Sequence, residues 1–95
     1  MKVKWDKNIK AWIDFEVGKA IIPRPYIGGW CIFFHDMENL DADALYCSAT
    51  KSWEFGWEYL SEYIDILQKI ILEKIIPEGY EEAWNILSDL FKVGG

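Results

Sequence analysis

The sequence predicts an α+β fold: an antiparallel sheet of three or four strands within residues 2 to 49, then two helices packed on one face of it. Three patterns carry that expectation. Residues 10–17 alternate apolar and polar with a period of two, the mark of a half-buried strand. Trp30 to Phe34 is an unbroken run of strand-forming apolar residues. From Trp53 onward, apolar residues recur at helical spacing through most of the remaining chain.

In the first strand Ala11, Ile13, Phe15 and Val17 share one side, and Lys10, Trp12, Asp14 and Glu16 share the other. Gly18-Lys19 fits a two-residue hairpin turn whose first position needs a positive φ, and Ala20 to Ile22 pairs back. Pro23 and Pro25 have no N–H to give to a ladder, so this strand should end there or lie at an edge. Gly28-Gly29 is the next break. Trp30 to Phe34 then reads as a central strand covered on both faces, His35 to Asp43 as a polar connection, and Ala44 to Ala49 as a fourth strand. Met37, Leu40 and Ala44 also match a helical turn that Asp36 could cap.

Residues 53–60 fit both periods. Trp53, Phe55, Trp57 and Tyr59 alternate as in a strand, whereas Trp53, Trp57, Leu60, Ile64, Leu67, Ile71 and Ile75 follow one face of a helix. The helical pattern persists for about six turns, too far for a strand. The spacing therefore predicts one long helix from about Ser52 to Ile76, with Ser52 as N-cap and Pro77 as its stop. Gly56 would cost that helix about 1 kcal/mol without breaking it. Tyr80, Ala83, Trp84, Leu87, Leu90 and Phe91 predict a second amphipathic helix, ended by Gly94.

Ninety-five residues, 52% apolar and 27% charged, suit one domain (1–95) with a single core. The longest apolar run, Trp30 to Phe34, is five residues, against the roughly 18 that a membrane span needs. The first residues lack the apolar stretch of a secretory signal, so the expected location is the cytoplasm. Cys31 and Cys47 are too few for a disulfide framework or a zinc set. They read as buried free thiols, with a cross-strand disulfide as the alternative.

Little in the sequence suggests catalysis. A single histidine, His35, and no activated-cysteine context leave nothing like a nucleophile–base arrangement, so no enzymatic role is expected. The acidic connection from Asp36 lacks the third ligand and the glycine of a calcium loop, and Gly28-Gly29 lacks the spacing of a phosphate loop. No metal or cofactor is expected.

What stands out is sixteen aromatic residues on a chain of net charge −6. Aromatic side chains anchor interfaces, and surplus carboxylate repels nucleic acid while attracting basic surfaces. The charge is uneven. Residues 1–24 carry six cations against three acids, a net of +3, and residues 25–95 carry four against thirteen, a net of −9. The expected function is a small acidic inhibitor or sequestering protein, in the style of toxin-immunity proteins or phage-encoded blockers of bacterial defence. It would act by surface complementarity to a basic protein, such as a nucleic-acid-binding enzyme or toxin, without touching nucleic acid or membrane. The residues expected to steer that partner are Glu54, Glu58, Glu62 and Asp65, a row on the long helix, and the connection acids Asp36, Glu38, Asp41 and Asp43. Trp12, on the polar side of its strand, and Tyr26, beside prolines, are the expected exposed anchors. The alternative is a structural module that forms a homodimer or larger oligomer through its surplus aromatics.

Overall fold

Every strand pairs antiparallel with the one before it, so the sheet runs in strict chain order. The computed structural model describes residues 2–94. The strands are β1 (Val3–Asp6), β2 (Ala11–Asp14), β3 (Lys19–Tyr26), β4 (Gly29–Asp36), β5 (Ala44–Cys47) and β6 (Ser52–Phe55). A 3-10 helix (Trp57–Tyr63), α1 (Ile64–Leu72) and α2 (Glu81–Gly94) follow. The α+β class and the two C-terminal α-helices agree with the sequence reading, but the sheet has six strands, not three or four. The additional strands, β1 and β6, are its two edges.

One glycine corrects the long helix. Gly56 sits at φ +73°, and a Cβ built there would lie 2.1 Å from the Asp43 carbonyl oxygen and 2.8 Å from the Ala44 Cα. The chain passes too close to the start of β5 for any side chain, in a conformation that L-residues avoid. Gly56 is therefore the break and not a tolerated defect. Before it, Ser52 to Phe55 is a strand, and Ser52 caps nothing. After it, the Gly56 carbonyl accepts the Tyr59 N–H at 2.8 Å and opens the 3-10 segment. The α-helix proper starts only at Ile64.

The end of α1 is a Schellman motif. Lys74 adopts φ +51°, the Ile75 N–H bonds the Ile70 carbonyl at 3.0 Å and the Lys74 N–H bonds that of Ile71 at 3.3 Å. The helix thus stops before Pro77 is reached. At the other terminus, α2 ends among the described residues at Gly94, the residue expected to stop it.

The predicted first strand is also shorter. The β2–β3 turn is Phe15-Glu16-Val17-Gly18, closed by the Gly18 N–H on the Asp14 carbonyl (2.9 Å) and the Glu16 N–H on Asp14 Oδ1 (2.9 Å). Phe15 and Val17 are consequently exposed on a turn and do not line a strand face. Pro23 and Pro25 lie within β3, not beyond it. They are tolerated because β2 pairs only with Lys19 to Ile21, leaving this part of β3 with one partner, β4. The strand in 44–49 ends at Cys47.

The core occupies one side of the sheet. Val3, Trp12, Ile21, Ile32, Phe34 and Ala44 face Tyr63, Ile66, Leu67 and Ile70 from the first helical segment and Ala83, Leu87 and Leu90 from α2. A smaller cluster, Ala11, Ile13 and Ala20 with Ile22, lies on the opposite side. Among the described residues no helix covers that side, so β4 is covered on one face only, contrary to what its apolar run Trp30 to Phe34 suggested.

Two glycine substitutions separate strain from collision. Gly18 has φ +70° and open space around it, so Gly18→Ala should cost about 1–2 kcal/mol of unfolding free energy. Gly56→Ala adds the collision with residues 43 and 44 and should cost at least about twice as much in urea titrations.

Candidate protein-binding face

Alternation along each strand gives the sheet two unlike faces. The helix side takes most of the large rings: Trp5, Trp12, Trp30, Phe34, Tyr46 and Trp53. The other side receives Ile22, Arg24, Cys31, Phe33, His35, Leu45 and Cys47. Two shallow depressions run across it. One, about 570 Å³, is lined by Ile22, Phe33, His35, Leu40, Asp41 and Phe55 among others. The second, about 600 Å³, is lined by Arg24, Tyr26, Cys31, Leu45, Cys47 and Glu54 among others, and Phe33 borders both.

Local features set the margins of this face. A register shift opposite Leu45 and Tyr46 leaves Glu54 bulged out of the β5–β6 ladder, so both Glu54 and Phe55 reach the open side. The β4–β5 connection folds back over the end of the face, with the Asp43 N–H on the Phe34 carbonyl at 2.8 Å and His35 Nε2 2.7 Å from the Asn39 carbonyl oxygen. Leu40, at 99% exposure, stands at its tip. Arg24 is a brace: its guanidinium donates to the carbonyls of Ile9, Lys10 and Pro23 at 3.0–3.1 Å.

The expected site residues are dispersed. Tyr26 is 63% exposed and lines the second depression with Glu54, and Asp41 lines the first. Glu38 is exposed in the same connection as Asp41, and Glu58 is exposed on the 3-10 segment. Trp12, expected as an exposed anchor, is instead fully buried, with its indole N–H on the Ile75 carbonyl at 2.9 Å. The polar neighbours that suggested exposure are there for other reasons: Lys10 is a turn residue at φ +62° and Asp14 caps the next turn. The acidic row does not form either. Glu54 is on a strand, Glu58 and Glu62 are on a 3-10 helix, and Asp65 is on α1. Residues four apart on a 3-10 helix point about 120° apart, whereas on an α-helix they nearly align.

Three of these acids are engaged inside the fold. Lys19 Nζ lies 3.5 Å from Asp36 and 3.6 Å from Glu62, and 4.9 Å from the centre of the Tyr63 ring. The Glu38 backbone N–H, foremost, and then Lys19 hold the Asp36 carboxyl below its usual range. The buried Tyr63 hydroxyl donates to Asp43 Oδ2 at 2.8 Å.

Sequence reading did not single out Phe33, Leu45, Phe55 and Leu40. The signal for Phe33 and Leu45 was the parity of β4 and β5, which could be used only once the helix-covered side was known. Among the described residues no three His, Cys, Asp or Glu side chains cluster as a metal site requires. Likewise no helix among them is long and apolar enough to cross a membrane. No family model, curated protein or solved structure matches this chain.

The Tyr63–Asp43 pair gives a signed pH dependence. Burial, then the hydrogen bond and charge of Asp43, push the Tyr63 hydroxyl well above its ordinary 10.0. Above that pH the unfolded chain loses this proton while the native chain keeps it, so stability falls as pH rises. Absorbance titration should show one tyrosine that ionises only with unfolding. In Tyr63→Phe that late step should disappear and the alkaline decline in melting temperature should flatten.

Proposed function

We propose that this protein binds another protein through the open face of its sheet and inhibits or sequesters it. The observation that carries the reading is a contiguous apolar strip, Ile22, Phe33, Leu45, Phe55 and Leu40, on a sheet whose helices all lie on the other side. Exposed apolar surface of this kind, bordered by charge, marks interaction sites. Tyr26 at one margin is the candidate anchor, being a flat ring with a polar tip and two soft torsions. Asp41 and Glu54 line the depressions of this face, and Glu38 adds negative charge in the same connection as Asp41, which favours a partner surface of Lys and Arg around an apolar centre.

Inhibition by occlusion needs only shape and charge, and this face offers both. Steering by these acids would raise the association rate more than the affinity, and salt would screen it over about 10 Å.

Immobilised protein, incubated with cell extract, tests the reading when two variants run beside the wild type. Glu54→Lys with Asp41→Lys reverses charge on the open face; Glu78→Lys with Asp89→Lys does the same on the helical side. A partner retained by the wild type and the helical-side variant, but lost from the sheet-face variant, is the expected result. With that partner purified, the sheet-face variant should associate at least about tenfold more slowly at low salt, the gap narrowing as salt rises. A partner held equally by all three removes the open face from the reading. Sedimentation of the protein alone as a dimer that Tyr26→Ala dissociates would assign the face to self-association instead.

A further inference from the structure

We propose that Cys31 and Cys47 form a reversible dithiol–disulfide pair, oxidised in place by a low-molecular-weight disulfide. The two residues are direct partners across the β4–β5 ladder. Opposed residues of an antiparallel pair have Cα atoms about 4.5–5.5 Å apart, inside the range that a disulfide spans. Their side chains leave the sheet on the same side, where both line the second depression beside Tyr26 and Glu54. Both are free thiols, Cys47 buried and Cys31 half-buried.

The surroundings divide the roles. The turn after β5 sets donors beside Cys47: the Thr50 N–H, foremost, then its hydroxyl and the Ala49 N–H draw the Cys47 pKa below its usual value, against the effect of burial. Cys31 has no such cradle; burial, then the negative charge of Cys47, raise its pKa. Thiolate character is thus concentrated on Cys47, with Cys31 holding the proton.

The exchange balances in two steps. The Cys47 thiolate attacks one sulfur of the small disulfide, forming a mixed disulfide and expelling one small thiolate. Cys31 then attacks the Cys47 sulfur; the protein disulfide forms, the second small thiol leaves, and the Cys31 proton passes to a departing thiolate. One small disulfide is reduced to two thiols as the protein dithiol loses two hydrogens. The product ties β4 to β5 beneath the depression. This goes beyond the binding reading and needs no partner for its test.

Reduced protein incubated with oxidised glutathione at neutral pH should lose both titratable thiols. Its mass should fall by two hydrogens, it should remain monomeric on a non-reducing gel, and dithiothreitol should restore it. Cys31→Ser should stop at a single glutathione adduct on Cys47. That adduct should form at least about tenfold faster than the one on Cys31 in Cys47→Ser. Two stable adducts on one wild-type chain, disulfide-linked dimers or unreacted thiols would each overturn the pair. A faster adduct on Cys31 would overturn the role given to Cys47.

Discussion

The buried indole of Trp12 is where sheet, connector and helices are joined. Its ring meets Trp5 edge-on at 4.9 Å, Trp5 packs on Tyr80 at 4.7 Å, and Tyr80 on Trp30 at 5.5 Å. Its N–H donates to the Ile75 carbonyl, one residue beyond the left-handed Lys74 that ends α1. From α2, the Trp84 indole donates to the Ile70 carbonyl at 3.0 Å, the same oxygen that receives the Ile75 N–H. Elements distant in sequence therefore converge on the last turn of α1. Burying a ring of about 150–250 Å² is worth about 4–6 kcal/mol gross, against about 1 kcal/mol for a hydrogen bond. The rings supply the attraction between sheet and helices; the two indole bonds decide at which residue the helix end comes to rest.

That arrangement also determines what remains for the other side. With six large rings committed to the helices, the opposite surface keeps Phe33, Phe55 and Tyr26 beside Ile22 and Leu45, two thiols and a braced arginine. Because strand order equals chain order, the uneven charge of the sequence becomes uneven charge in space. The +3 N-terminal segment supplies β1, β2 and most of β3, while the acids Asp41 and Glu54 sit at the β4–β6 end. A meander is the topology that preserves such a gradient; a sheet with crossovers would have mixed it.

The parts of this fold legible in the sequence are those set by local chemistry. The period-two run places β2, the unbroken apolar run places β4, the 3.6-residue period places α2, and Gly18 marks a turn through its positive φ. What could not be read depends on contacts across the chain. Gly56 looks like any helix glycine until the Asp43 carbonyl is seen beside it. Trp53 fits a helix stripe as well as a strand, and only its contact with Phe34 and Tyr46 decides between them. In β2 both parities are buried, so alternation told Trp12 from Ile13 but not which of them meets the helices. The candidate site suffered most, because a surface is defined by what fails to cover it, and no single strand carries that information.

How far the acids can act on the proposed face follows from their separation. Two unit charges 10 Å apart in water interact by about 0.4 kcal/mol, and physiological salt screens even that. Glu62 and Asp36 are moreover already matched by Lys19, and Asp43 by the Tyr63 hydroxyl, so these three offer a partner less than their number suggests. The remaining acids can orient an approaching cationic surface, but they cannot hold it. Retention has to come from apolar area: a Phe or Leu side chain taken fully out of water contributes about 1.5–3 kcal/mol. On this reading a partner carries an apolar centre that fits between Tyr26 and Leu40, and its basic residues belong at the edge nearest β6. A partner that was merely basic would meet the face quickly and leave it as quickly.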